Sequence, residues 1–219
     1  MRKFLVRTLL IGGAAAAAVA LVAGQSSAAG TTVTISGANA SFTGVSTDTV
    51  LADVTSGQTF SCTKSTAGGS LANVTSAALP FTTKQNGGAA HSITSLSFTG
   101  CTSSFGSATV TVPAANLPDD LTINSVSTTA PQASGNVTTA GTSGDLANIS
   151  VLTCSFRVTG SAPATWTDGP TNQLDFTGGA GLHPANISAG CFGLVGSTDV
   201  LSYTGHYTIT PSTINVSTP

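Results

Sequence analysis

Residues 190–211 read Gly190-Cys191-Phe192-Gly193-Leu194-Val195-Gly196-Ser197-Thr198-Asp199, then Val200-Leu201-Ser202-Tyr203-Thr204-Gly205-His206-Tyr207-Thr208-Ile209-Thr210-Pro211. The second part of this stretch decides the fold. In an extended chain Leu201, Tyr203, Tyr207 and Ile209 fall on one side, with Gly205 between them, and Ser202, Thr204, His206 and Thr208 fall on the other. A period of two is the mark of a half-buried β-strand; a helix would repeat its apolar positions every three or four residues. Residues 95–112 have a similar layout. Leu96 and Phe98 alternate with Ser and Thr, Gly100-Cys101 follows, and residues 107–112 alternate again. The chain therefore reads as an all-β scaffold, an antiparallel sandwich or a barrel-like fold, tied at two Gly-Cys corners.

The remaining chain continues the pattern. Short alternating runs occupy residues 32–36, 50–54, 58–64, 121–126 and 149–159, and residues 164–167 pair with 172–177 across Asp168-Gly169-Pro170. Gly68-Gly69 and Asn86-Gly87-Gly88 read as breakers, and Leu117-Pro118-Asp119-Asp120 reads as a turn. Residues 128–145, rich in Thr, Ser, Gly and Ala, read as a long surface loop or irregular hairpin. No window beyond the first thirty residues carries a helical period.

Residues 1–29 have the form of a signal peptide. Arg2, Lys3 and Arg7 make a basic segment, an apolar run follows over residues 9–23, and small residues at Ser26-Ser27-Ala28-Ala29 suit cleavage. The expected product is secreted, extracellular or held at the cell surface, with residues 30–219 as one all-β domain. Beyond residue 29 only Lys64, Lys84 and Arg157 oppose eight Asp, and Glu is absent, which leaves a net charge of −5. Three scattered cations cannot neutralise a run of phosphates, so nucleic acid is excluded as a partner.

Four cysteines in an exported chain imply two disulfides, for which three pairings exist. Cys62 with Cys101 and Cys154 with Cys191 is the favoured set, because the separations are nearly equal, 39 and 37 residues, and each pair brackets one half of the chain. Each bridge would close a loop worth about 4 kcal/mol in loop-closure entropy. The halves, about 30–127 and 146–219, share a faint echo: an Ile-containing run into Gly-Cys, with Phe105-Gly106 and Phe192-Gly193 nearby.

Four segments carry a resemblance. They are Leu96-Ser97-Phe98-Thr99-Gly100-Cys101-Thr102, the Asn116-Leu117-Pro118 turn with Leu121, Ile123, Asn124 and Val126, residues 186–194 around Gly190-Cys191, and Tyr203 through Pro211. Together they resemble a group of small secreted proteins of streptomycetes and related actinobacteria. The resemblance implies a secreted all-β fold with four cysteines and implies no activity. Asp119-Asp120 departs from it, standing where the group has a tryptophan-containing apolar step.

Chemistry-bearing patterns are sparse. Asp119 and Asp120 are adjacent, so along a strand they would point apart, and beside Pro118 they read as turn formers. Asp48, Asp53, Asp145, Asp175 and Asp199 read as isolated. His91, His183 and His206 stand in no metal-ligand spacing, and no Gly-x-Ser-x-Gly elbow supports a nucleophile. Trp166, Tyr203 and Tyr207 are the candidate ligand contacts, against a reading as core aromatics. No catalytic residue, metal site or cofactor is expected. The expected function is a non-catalytic secreted or envelope-associated β protein that binds a glycan, a protein partner or its own copies. The alternatives are a small-molecule or lipid carrier or envelope pore built on a barrel, and then a secreted hydrolase.

Overall fold

The computed structural model describes residues 32–82, 91–139 and 144–219. The expected leader and the Asn86-Gly87-Gly88 break lie outside the described residues. In chain order the strands are β1 (Thr32–Ser46), β2 (Thr49–Asp53), β3 (Thr59–Ala78), β4 (Phe81–Thr82), β5 (His91–Ser103), β6 (Gly106–Thr111) and β7 (Asp119–Val126). They continue with β8 (Ala133–Thr139), β9 (Asp145–Val151), β10 (Cys154–Thr167), β11 (Asn172–Thr177), β12 (Leu182–Ala185), β13 (Leu201–Thr210) and β14 (Asn215–Ser217). The all-β antiparallel class read from the period-two pattern is the one observed.

Strand pairing selects the barrel from the two expected forms. β3, β5, β10 and β13 pass through both levels of the wall, and shorter strands stand end to end between them. β1 and β2 lie between β13 and β3. β11 and β12 lie between β10 and β13. The pairs β7–β8 and β6–β9 lie between β5 and β10, while β3 and β5 pair directly. The path therefore closes twice. One tier runs β2-β3-β5-β6-β9-β10-β12-β13 and back to β2; the other runs β1-β3-β5-β7-β8-β10-β11-β13 and back to β1. Closure pairs strands that an open sheet would leave as sticky edges. β14 and β4 add to the outside of the path on β1 and β7.

Side-chain alternation then fills the interior. On β13, Leu201, Tyr207 and Ile209 are buried, and His206, Thr208 and Thr210 face out. Phe60, Phe156, Leu51, Leu174 and Phe176 join them in one apolar core. Each such side chain contributes about 1.5–3 kcal/mol by burial. The outward positions are largely Ser and Thr, such as Ser61, Thr63, Ser95, Ser97 and Thr99. These hydroxyls keep the wall wettable in a chain with few charges.

Three expectations of local structure are corrected. Gly68-Gly69 does not break a strand; it lies inside β3, at a register shift against β5. A Cβ at Gly69 would sit 2.2 Å from the Ser92 carbonyl oxygen, so glycine there allows close approach of two backbones. Residues 133–139, expected in a long surface loop or irregular hairpin, form β8 and pair with both β7 and β10, because Ala133 and Val137 supply the inward positions. Asp119 and Asp120, expected in a turn, begin β7 opposite Thr139 and Thr138.

Both disulfides are those favoured by spacing. Cys62 and Cys101 are register partners on β3 and β5. Cys154, at the start of β10, is joined to Cys191 in the 3-10 turn Ala189–Cys191. All four cysteines are thus bridged, which marks an oxidising environment. Among the described residues no helix is long and apolar enough to cross a membrane.

Candidate functional site

Two places depart from the rule of apolar inside and polar outside. The first is the waist of the barrel, where the two tiers meet. β6 pairs with β5 only at Thr102 and Ser103, and β7 only at Ser92 and Ile93. Among the described residues, positions 94–101 of β5 therefore have no ladder partner on that side. The chain leaves the wall after Thr111 and re-enters at Asp119. Behind this break lies an apolar cavity of about 90 Å³. Leu96, Phe98, Val110 and Leu146 line it and are partly exposed, so they form its mouth; Ile93, Val137, Val158 and Phe176 line it deeper inside.

Asp119 also lines the cavity. Its residue is 1% exposed, and among the described residues neither carboxyl oxygen has a hydrogen-bond partner. Strand alternation puts it there: Asp119 takes the inward position at the start of β7, and Asp120 the outward one. Burial pushes the Asp119 carboxyl up to about 7, and the charge of Asp120 adds to the effect. An orphaned carboxyl in an apolar wall costs stability, so it is an anomaly for a purely structural residue.

Tyr203 and Tyr207 line the same cavity, and their hydroxyls are already committed. Tyr203 Oη and Tyr207 Oη are 2.6 Å apart, and Tyr207 Oη lies 2.6 Å from Ser65 Oγ. Burial raises both phenols above their ordinary range. Phe176 packs edge-on against both rings, and Phe98 edge-on against Tyr203. Gly205 makes room for the pair: a Cβ there would meet Thr49 Cγ2 at 2.9 Å and Tyr203 Oη at 3.3 Å. Trp166, the third candidate contact, is buried in the other tier and donates its indole N–H to Asp168 Oδ1 at 2.6 Å. Asp168 also accepts the Val216 N–H, which pins β14 to the barrel. The two tyrosines thus face this cavity, while the tryptophan braces a corner and lines a second cavity of about 70 Å³, with Phe42, Leu71 and Phe81.

The second place is the end of the barrel where the hairpins turn. The β2–β3, β5–β6 and β9–β10 turns and residues 186–200 all lie at this end, as the registers of Asp53 with Leu201, Phe60 with Ser103 and Cys154 with Val151 require. Their tips carry exposed apolar side chains: Val54, Phe105, Leu152 at 81% and Phe192 at 86%. The tips are cross-braced. Ser104 Oγ donates to Gln58 Oε1 at 2.7 Å, Thr153 Oγ1 to the Gly190 carbonyl, and the Cys154–Cys191 bridge lies beside Leu152 and Phe192. Asp53, fully buried, accepts the Thr55 and Ser56 N–H groups at 2.9 and 3.0 Å on Oδ1. Burial alone would raise its carboxyl, but the Ser56 backbone and side chain, Asp199 and the Thr55 backbone bring it below the ordinary value. Asp199 in turn accepts the Gly196 N–H at 2.6 Å.

Four aspartates that read as isolated have partners. Arg157 donates to Asp145 at 2.8 Å, while Asp53 and Asp199 accept the turn amides given above. Asp175 and His206 are register partners on β11 and β13, with Oδ1 and Nδ1 2.9 Å apart. That last pair is two members of a hydrolytic triad in kind. It sits on the outer wall, with the His206 side chain 65% exposed, and neither residue lines a cavity described above. Among the described residues no cluster of three or more His, Cys or Asp could hold a metal. The His91 side chain lies outside the described residues, and His183 Nδ1 lies 3.3 Å from the Asp199 carbonyl.

Sequence reasoning missed Asp119 as a cavity residue. The signal was its step: Asp119, Leu121 and Ile123 share a period of two, but Pro118 masks it as a turn. Comparison with protein families, characterised proteins and solved structures finds no match for this chain.

Proposed function

We propose that this protein is an exported, non-catalytic β-barrel that works from its surface, seating its hairpin end on an apolar partner in the cell envelope. The observation that carries this reading is the convergence of Val54, Phe105, Leu152 and Phe192 on one end of the barrel. Scattered exposed apolar residues are ordinary, but large ones grouped on disulfide-braced tips mark a contact surface. Two bridges suit the oxidising exterior that the leader sequence addresses. Packing of the interior supports a surface role over that of a lipid carrier. The cavity is smaller than the void of about 150 Å³ that accommodates benzene.

The test is fractionation of cells that express the full chain. Wild type is expected in the envelope fraction, with residues 1–29 removed. The double variant Leu152→Ser, Phe192→Ser is expected in the medium, because loss of about 1.5–3 kcal/mol per side chain weakens attachment at least tenfold. Equal partition of the two proteins would refute the seating, and retention inside the cell would refute export.

A further inference from the structure

We infer that the waist cavity is a binding site for a small organic cation, a short alkylammonium whose charged head pairs with Asp119 and whose carbon body fills the apolar chamber. This goes beyond the surface role and does not depend on it. Three observations converge. Asp119 is nine-tenths buried and more, faces the cavity, and among the described residues has no donor on either carboxyl oxygen. The other cavity walls are almost wholly apolar: Ile93, Val137, Val158, Leu174 and Phe176 offer no hydrogen bond. The break in the wall beside Leu96, Phe98, Val110 and Leu146 provides access at the level of Asp119.

The chemistry of the occupant follows from these walls. A carboxylate without donors in a medium of low dielectric demands a cation or a strong donor. An anion would be repelled. A lone water finds few of the two to four polar partners that a buried water takes: the Tyr203 and Tyr207 hydroxyls are bonded to each other and to Ser65, which leaves the Thr49 hydroxyl as the other unpaired polar group of the lining among the described residues. The volume limits its size. An engineered void of about 150 Å³ holds the six carbons of benzene, so about 90 Å³ holds a molecule of about four heavy atoms, the size of propylammonium.

Titration follows thermal stability of the full secreted protein, and methyl and aromatic NMR shifts, against propylammonium and its neutral counterpart 1-propanol. The expected result is a saturable rise in Tm of about 3–6 °C at ten times the Kd of propylammonium. Propanol should bind about tenfold more weakly, and Asp119→Asn should equalise the two. Affinity for propylammonium should also rise from pH 5 to pH 8 as the Asp119 carboxyl ionises. Asp120 is the charged neighbour acting on that carboxyl, and Tyr203 and Tyr207 are the other titratable groups lining the cavity. Should Asp119→Asn not fold, the propanol comparison and the pH dependence on wild type still decide. Equal response to amine and alcohol would make the cavity a plain apolar void and overturn the assignment. Absence of any saturable response would overturn it as well. Neither result touches attachment through the hairpin end.

Discussion

Asp53 and Asp119 are equally withdrawn from solvent, at 0% and 1% exposure, yet the barrel treats them in opposite ways. Asp53 closes the β2 turn, where two backbone N–H groups point at one carboxyl oxygen and the net effect holds it ionised. Asp119 opens β7, where both N–H and C=O face along the ladder and, among the described residues, no donor reaches the side chain. Burial disfavours the charge in both cases; donors decide whether that cost is met. A turn supplies donors because its amides are not used by neighbouring strands. A strand spends its amides on the ladder. The hairpin end can therefore bury a carboxylate as a brace, and the waist can bury one only with a proton or a partner from outside.

The comparison predicts opposite responses to pH. Asp119 has a raised pKa in the folded state, so between about 3.8 and 7 the folded chain keeps a proton that the unfolded chain has lost. Its contribution is fully present at acid pH and falls away as pH rises through 7, a span on the order of 4 kcal/mol. Urea melts should show wild type losing stability from pH 4 to pH 8, with Asp119→Asn close to it at pH 4 and the more stable protein at pH 8. A wild-type profile flat over that range would mean that a donor does reach the carboxyl. Asp53 runs the other way. Its pKa is lowered, so its stabilisation is present above the ordinary carboxylate range and lost as pH falls through its folded value. Asp53→Asn should cost about 2–3 kcal/mol at pH 7 by weakening the charge-assisted bonds from Thr55 and Ser56, and progressively less in acid. A constant cost at pH 3 and pH 7 would show that the turn needs the shape of the side chain and not its charge.

Much of the scaffold was legible because β-structure writes a period of two into the chain. Leu201 through Ile209 showed which side of β13 faces the core, and the cysteine spacing showed both bridges. Closure was not legible. Nothing in the Thr-rich residues 133–139 distinguishes a loop from β8, because Ala133 and Val137 are too small to mark a buried face. Gly68-Gly69 misled for a related reason, since a glycine needed for close backbone approach inside a strand looks the same as one that ends it. The candidate site was legible only in pieces. Tyr203 and Tyr207 stood out as aromatic, whereas Asp119 was hidden by Pro118 beside it. The hairpin tips were invisible, because Val54, Phe105, Leu152 and Phe192 come together only when the ring closes.

A smaller effect tests how tightly the waist is built around its tyrosines. Gly205→Ala places a methyl group against Thr49 Cγ2 and between the two phenol rings, and overpacking of this kind costs about 2 kcal/mol. The Tyr203–Tyr207 hydroxyl pair should loosen with it, seen as a shift of the tyrosine ultraviolet absorbance. A change under 0.5 kcal/mol, estimated against ordinary surface substitutions, would mean the cavity absorbs the methyl group. The smallest expected effect concerns the other region and is the most telling. Leu152→Ser and Phe192→Ser remove side chains that already stand in water, 81% and 86% exposed, so no packing is lost on folding. Stability should stay within about 0.5 kcal/mol of wild type. Attachment to the envelope should nevertheless fail, because the same apolar surface that adds nothing to the fold is what a partner would cover. A loss of stability together with attachment would instead assign the tips to the fold, and the proposed contrast between a hairpin end for contact and a waist for a ligand would disappear.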